Sequence, residues 1–202
     1  MNFPFLASTI ILCLLLNSLF RKNSRKAEKQ EENFWDRERR ANLVRRQPLD
    51  QLNYITVPLE SFPTGLLAED EEVADCIHTI QHLSQEKIVN FTGYTNTDLK
   101  LEYGAPNINL LTQYDQNYTL LVRTLQKWAE LLLSAGYEAQ AVILMEFAVQ
   151  TGTDVRRTYY ALADYYRSSG NTQGIRSLLQ TAQQLRSLNR EPIVRTLQES
   201  YL

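Results

Sequence analysis

RTLQKWAELLLSAGYEAQAVILMEFAVQT, residues 123–151, and RTYYALADYYRSSGNTQGIRSLLQTAQQL, residues 157–185, share one pattern. They align without a gap, Arg123 on Arg157, and the step between those two arginines is the period of the repeat. Eight of the 29 pairs are identical: Arg123/Arg157, Thr124/Thr158, Ala129/Ala163, Ser134/Ser168, Gly136/Gly170, Leu144/Leu178, Ala148/Ala182 and Gln150/Gln184. Others keep their character, among them Glu130/Asp164, Leu125/Tyr159, Trp128/Leu162, Leu132/Tyr166 and Met145/Leu179. Self-similarity at a fixed period of this length signals a repeated helix–turn–helix unit. Leu125, Trp128, Ala129, Leu132 and Leu133 recur at three- and four-residue steps, which puts them on one helical face. Gly136 ends that helix, because glycine reaches the left-handed conformation of a helix C-terminus cheaply. A second helix follows with Ala141, Leu144, Met145 and Ala148 inward. The next unit repeats the logic with Tyr159, Leu162, Ala163 and Tyr166, then Gly170, then Ile175, Leu178, Leu179 and Ala182. The small residues Ala129 and Ala148 let the helices approach closely.

Over residues 123–187 the chain resembles the tetratricopeptide repeat, in spacing, in the inter-helix glycines and in the small residues. Three positions depart from that family. Ile175 stands where it prefers a small residue, Gly174 weakens the second helix, and Thr153 stands where a proline usually closes the repeat. A generic antiparallel helical bundle is the alternative, and either reading is all-α. The resemblance implies that the first helix of each unit lines a concave surface that binds a protein or peptide. On that surface it places Arg123, Gln126, Glu130, Arg157, Tyr160, Asp164 and Arg167. Arginine can fork to a carboxylate, and tyrosine offers rigid contact area. The lysines and asparagines by which some family members clamp a C-terminal carboxylate are not in this set. The plainer reading of the same residues is a solvated helix face with internal Arg–acid pairs. Two units fall short of the three usually needed to bury a continuous core. Residues 66–118 are therefore expected to cover one end of the pair. The C-terminal piece, with Pro192 at a helix start and Ile193, Val194, Leu197 and Leu202 beyond it, is expected to cover the other.

The charge is unevenly placed. The net charge is −2, yet residues 21–46 carry ten Lys/Arg against five Asp/Glu. From 47 onward there are eleven basic and eighteen acidic residues, a balance of −7. An acidic body argues against nucleic acid as its partner, since phosphates want a positive face. Residues 3–20 are apolar except for Ser8, Thr9, Asn17 and Ser18 and contain no charge. At about 1.5 Å per residue, that length spans about 27 Å, enough for a bilayer's hydrocarbon core. A cleaved signal peptide would carry a basic region before the apolar stretch and a small-x-small site after it; neither is evident. Arg21, Lys22, Arg25, Lys26 and Lys29 all follow the stretch. The positive-inside rule then places a short N-terminus outside and residues 21–202 in the cytoplasm. Those basic residues can also sit against anionic lipid.

Residues 27–46 read as a charged helix leaving the membrane, supported weakly by acid–base pairs three or four apart. Phe34 and Trp35 there are expected to dock on the domain, lie at the membrane surface or contact a partner. Pro48 is expected to close that helix. Residues 54–57 form a short β-prone run halted by Pro58, expected to lie extended along helices. Asp70, Glu71 and Glu72 suit a helix N-terminus, and Val73, Cys76, Ile77, Ile80 and Leu83 form the buried stripe that follows. A further helical piece is expected over 85–92, ended by Gly93. Asp98 is expected to cap a short turn up to Gly104, and 107–118, helical in pattern though indistinctly so, to supply a surface for the first unit.

Chemistry is sparse. His78 and His82, four apart on one helical face, are the only histidines and could hold a metal, with Asp75, Cys76 and Glu71 near in sequence. His-Thr-Ile-Gln-His lacks the glutamate of a metalloprotease helix, so no metal is assigned. There is no glycine-rich phosphate loop and no nucleophile elbow. Cys76 and His78 point in different directions on one helix, which argues against a catalytic thiol. Cys13 and Cys76 lie in different contexts and are not expected to pair. Asn90-Phe-Thr and Asn117-Tyr-Thr match glycosylation sequons, which a cytoplasmic topology makes accidental.

The expected protein is all-α, with divisions at 1–20 (membrane anchor), 21–47 (basic charged helix), 48–118 (irregular segment plus packing helices) and 119–202 (hairpin pair with a C-terminal capping helix). Its expected work is that of a single-pass adaptor at the inner face of a bacterial membrane, without cofactor, nucleic acid or small-molecule substrate. A structural subunit of a membrane complex is the alternative, and a metal enzyme centred on His78 and His82 a third.

Overall fold

The computed structural model describes residues 30–201, and over them the chain is all-helical, with no strand. Residues 30–42 form α1. It is followed by α2 (Glu71–Leu83), α3 (Asn96–Tyr103), α4 (Ile108–Ser134), α5 (Glu138–Gln150), α6 (Arg156–Ser168), α7 (Thr172–Gln183) and α8 (Arg190–Tyr201). Short 3-10 turns occupy Leu59–Ser61 and Ala105–Asn107. The expected membrane span, 3–20, and the basic residues Arg21, Lys22, Arg25 and Lys26 lie outside the described residues. Among the described residues no helix is long and apolar enough to cross a membrane.

The described chain divides into two compact units. The smaller holds α1 and the residues up to Gln47 together with Thr95–Ile108. Here α1 stops well short of Pro48, because residues 44–47 run extended to meet the turn after α3. The Val44 carbonyl accepts from the Ala105 N–H, and the Gln47 N–H donates to the Tyr103 carbonyl. Gly104, at φ +90°, makes that crossing possible, since a Cβ would collide with the Arg45 carbonyl oxygen. Buried Asn107 completes it by donating to the Gln47 and Tyr103 carbonyls at 2.8 Å and accepting from Arg46 Nε. Glu38 of α1 accepts from Lys100 and Thr97 of α3, which holds its carboxyl below the usual range, the lysine contributing most. The expected Asp98 cap is corrected by one turn. Thr95 caps α3, and Asp98 is the third helical residue that bonds back to it, a reciprocal capping box.

The larger unit holds Pro48–Tyr94 and the chain from Asn109 onward. Its core is continuous from Val57 and Phe62 through α2, α4, α5 and α6 to Ile193 and Leu197 of α8. Asp70 caps α2 with bonds to the Glu72 and Val73 N–H groups, and Val73, Cys76, Ile77, Ile80 and Leu83 are all buried. Residues 54–57 run extended without forming a strand, tied by one bond from the Ile55 N–H to the Ile88 carbonyl. The expected helix over 85–92 is not there. The cause is the successive buried residues Ile88 and Val89, with Phe91 buried beyond them. An extended chain sends consecutive side chains to opposite faces, and this one is hemmed in on both.

The repeat is written into the helix boundaries. α5 and α7 begin one period apart, at Glu138 and Thr172, and α4 and α6 end one period apart, at Ser134 and Ser168. The starts of α6 and α8, Arg156 and Arg190, are separated by the same step. Gly136 and Gly170 sit between the paired helices at φ +84° and +68°. After each, the next N–H reaches back across the helix end, Tyr137 to the Leu132 carbonyl and Asn171 to the Tyr166 carbonyl, the Schellman pattern. Ala129, Ala148, Ala163 and Ala182 are all buried at the helix crossings, at 2 % exposure or less. The hairpin pair therefore extends by one more helix. Leu125, Tyr159 and Ile193, each one period from the next, are all buried. α4 is also longer than one unit requires. It starts at Ile108 and is continuous through 119, carrying Leu111, Tyr114 and Tyr118 into the interior.

Candidate functional site

Six of the seven expected surface residues are brought together, and they bond mainly to one another and to α8. Within α4, Gln126 donates to Glu130 at 2.8 Å; from α6, Arg157 reaches the same carboxylate at 3.1 Å and the Thr158 hydroxyl donates to the Gln126 carbonyl oxygen. Between α6 and α8, the Tyr160 hydroxyl meets Thr196 at 3.3 Å, and the Tyr201 hydroxyl donates to Asp164 at 3.0 Å. Arg167 pairs with Asp164 at 2.9 Å and lies over the Tyr201 ring, 4.8 Å from its centre. Burial, then the bond to Asp164, pushes the Tyr201 phenol above its usual pKa. The result is a polar ladder along the first helices of successive units. Arg157 is 79 % exposed and Glu130 42 %, so their pairing contributes little to stability.

Arg123 stands apart from the other six. It lines a different cavity, of about 400 Å³, between α2 and α4, with Asp75, Cys76, Thr79, Leu120 and Lys127. Lys127 there pairs with Glu72 at 2.9 Å. The Cys76 thiol is buried, and burial raises its pKa, so it is a poor nucleophile. His78 and His82 are exposed on α2 while Cys76 is buried, so the three do not converge. Among the described residues no three His, Cys, Asp or Glu side chains gather in a way that could hold a metal.

The interior tyrosines are structural. The Tyr118 and Tyr159 hydroxyls donate to the carbonyls of Thr151 and Thr153, and burial raises both phenols. Thr153, where the repeat family usually places proline, uses its own N–H in a bond to the Ala148 carbonyl, which proline could not make. The sequon asparagines are engaged as well. Asn90 donates to the Thr151 and Gly152 carbonyls at 2.9 and 3.2 Å, and Asn117 to the Lys87 carbonyl at 3.0 Å. Phe34 and Trp35 of α1 are each about half exposed and stack edge-on on one another at 5.3 Å.

A second concavity was not legible as a site. A groove of about 350 Å³ opens between α5, α6 and α7, floored by Val149, Leu162 and Leu178 and edged by Glu146, Tyr166 and Thr181. Gly174 keeps it open, since a Cβ there would press on the Tyr166 ring at 2.9 Å. The signal available in the sequence was the pair of departures at this spot, Leu132 becoming Tyr166 and Gln140 becoming Gly174 one period on. The chain matches no known family model, no curated protein and no solved structure.

Proposed function

We propose that this chain is a non-catalytic adaptor, anchored by residues 3–20 and carrying a tetratricopeptide-like domain that binds a protein partner at the cytoplasmic face of a membrane. The observation that carries the reading is the coincidence of the sequence period with the helix boundaries and with the two left-handed glycines. Stacked hairpins of this kind present long surfaces and rarely a catalytic centre. Confinement to a membrane would raise the domain's effective concentration near membrane partners. The polar ladder supports a second reading, a structural subunit, because most of its side chains are already bonded to one another.

The test is to recover the full-length chain from its own membranes under mild cross-linking. The adaptor reading expects a membrane-embedded chain that resists alkaline extraction and holds one stoichiometric, saturable partner. It expects Arg157→Ala and Tyr160→Ala to weaken that partner. A chain that washes off at high pH removes the anchor. Absence of any saturable partner removes the adaptor, and a partner lost only when the whole complex falls apart favours the structural subunit.

A further inference from the structure

The groove between α5, α6 and α7 has a counterpart in the first unit, and there it is filled. Phe62, from the 3-10 turn region ahead of α2, sets its ring edge-on to Trp128 at 6.1 Å and to Phe147 at 5.3 Å. One period on, Trp128 becomes Leu162 and Phe147 becomes Thr181, and both of these smaller residues line the open groove. The second unit has lost those two aromatic walls, while Tyr166, the counterpart of Leu132, adds a ring at the groove's edge. The floor is apolar, and Leu162 and Tyr166 sit on the side of α6 turned away from Tyr160, Asp164 and Arg167. The groove's only carboxylate is Glu146. It accepts from the Tyr166 hydroxyl at 2.6 Å and forms no ion pair among the described residues. The chain from 47 onward carries a balance of −7, so a basic segment is drawn to this body as a whole as well as to Glu146.

We propose that this groove takes an aromatic or large aliphatic side chain from a basic segment of a partner protein, with Glu146 meeting an adjacent lysine or arginine. The chain's own Phe62 shows the manner of seating. The apolar side chain supplies the buried area and the carboxylate supplies the selection. The inference rests on the adaptor reading and names the chemistry its partner must carry.

The experiment uses the full-length chain in lipid nanodiscs as bait for a random peptide library displayed on phage. Enriched peptides are expected to place Phe, Trp, Tyr or Leu next to Lys or Arg. Thr181→Phe, which restores the first unit's residue, is expected to weaken the selected peptides about tenfold or more. Glu146→Gln keeps an acceptor for Tyr166, so the groove's shape stays. It is expected to abolish the preference for the basic residue while peptides with that residue changed to Gln bind as before. If Thr181→Phe lowers the thermal midpoint markedly, the Glu146→Gln arm decides alone. Peptides that bind both variants as tightly as the parent, or that respond only to Arg157→Ala, overturn the groove and leave the adaptor standing. A library that yields no saturable peptide overturns both.

Discussion

Gly136 and Gly170 hold left-handed backbone, and a Cβ added at either would meet nothing within 4 Å. Replacement by alanine therefore tests the backbone alone, and each is expected to cost about 1 kcal/mol, read from urea midpoints. Gly104→Ala is expected to cost more, because there the new Cβ runs into the Arg45 carbonyl. Asp98 gives a pH prediction. Bonds from the Thr95 hydroxyl and N–H, with Arg37 beside them, hold its carboxyl down to about 2. Its folded pKa lies below the unfolded value, so its contribution is present above about pH 4 and is lost as pH falls towards 2. The carboxyl carbon's chemical shift should titrate near 2, and Asp98→Asn should remove the acid sensitivity of α3's amide exchange between those pH values. The glycines were legible because a left-handed helix end asks for little else. Thr95 was missed because its capping box closes with aspartate where glutamate or glutamine is usual. Arg123 shares a sequence position with Arg157 but faces α2, a neighbour that the second unit does not have at that place.

Among the elements, α2, α6, α7 and α8 were readable because each carries its own periodic apolar face, and that information is local; α5 is apolar nearly all round and was read from its alignment with α7. The segments without one were not. Residues 85–92 hold enough apolar residues to suggest a helix, and only their burial on two sides shows why they stay extended. α4 is read as helix from 123, and 107–118 also reads as helical though indistinctly; that the two form one continuous helix depends on Tyr114 and Tyr118 lying in the interior. Phe62 is the clearest case, since nothing near it announces Trp128 and Phe147 as its neighbours. Phe62→Ala is expected to cost about 3 kcal/mol or more, as for other buried phenylalanines. Ile193 is fully buried on α8, so Ile193→Ala should cost about 2–4 kcal/mol in the same single transition. A small effect, or a separate early transition, would show α8 to be a detachable tail.

At the scale of the molecule, two compact units and an apolar N-terminal stretch make up the chain, and the all-α class followed from periodicity alone. The partner's identity did not, because a binding face is specified by its complement and this chain holds only one half. The central claim is that the hairpins are interchangeable modules, each one sequence period long. Its most direct test is to insert a second copy of residues 156–189 after Asn189 and follow far-UV circular dichroism through thermal unfolding. Stacked modules predict a longer chain that keeps its helicity per residue, unfolds in one transition and melts within a few degrees of the parent. A chain that aggregates, loses helix or melts far lower would contradict it.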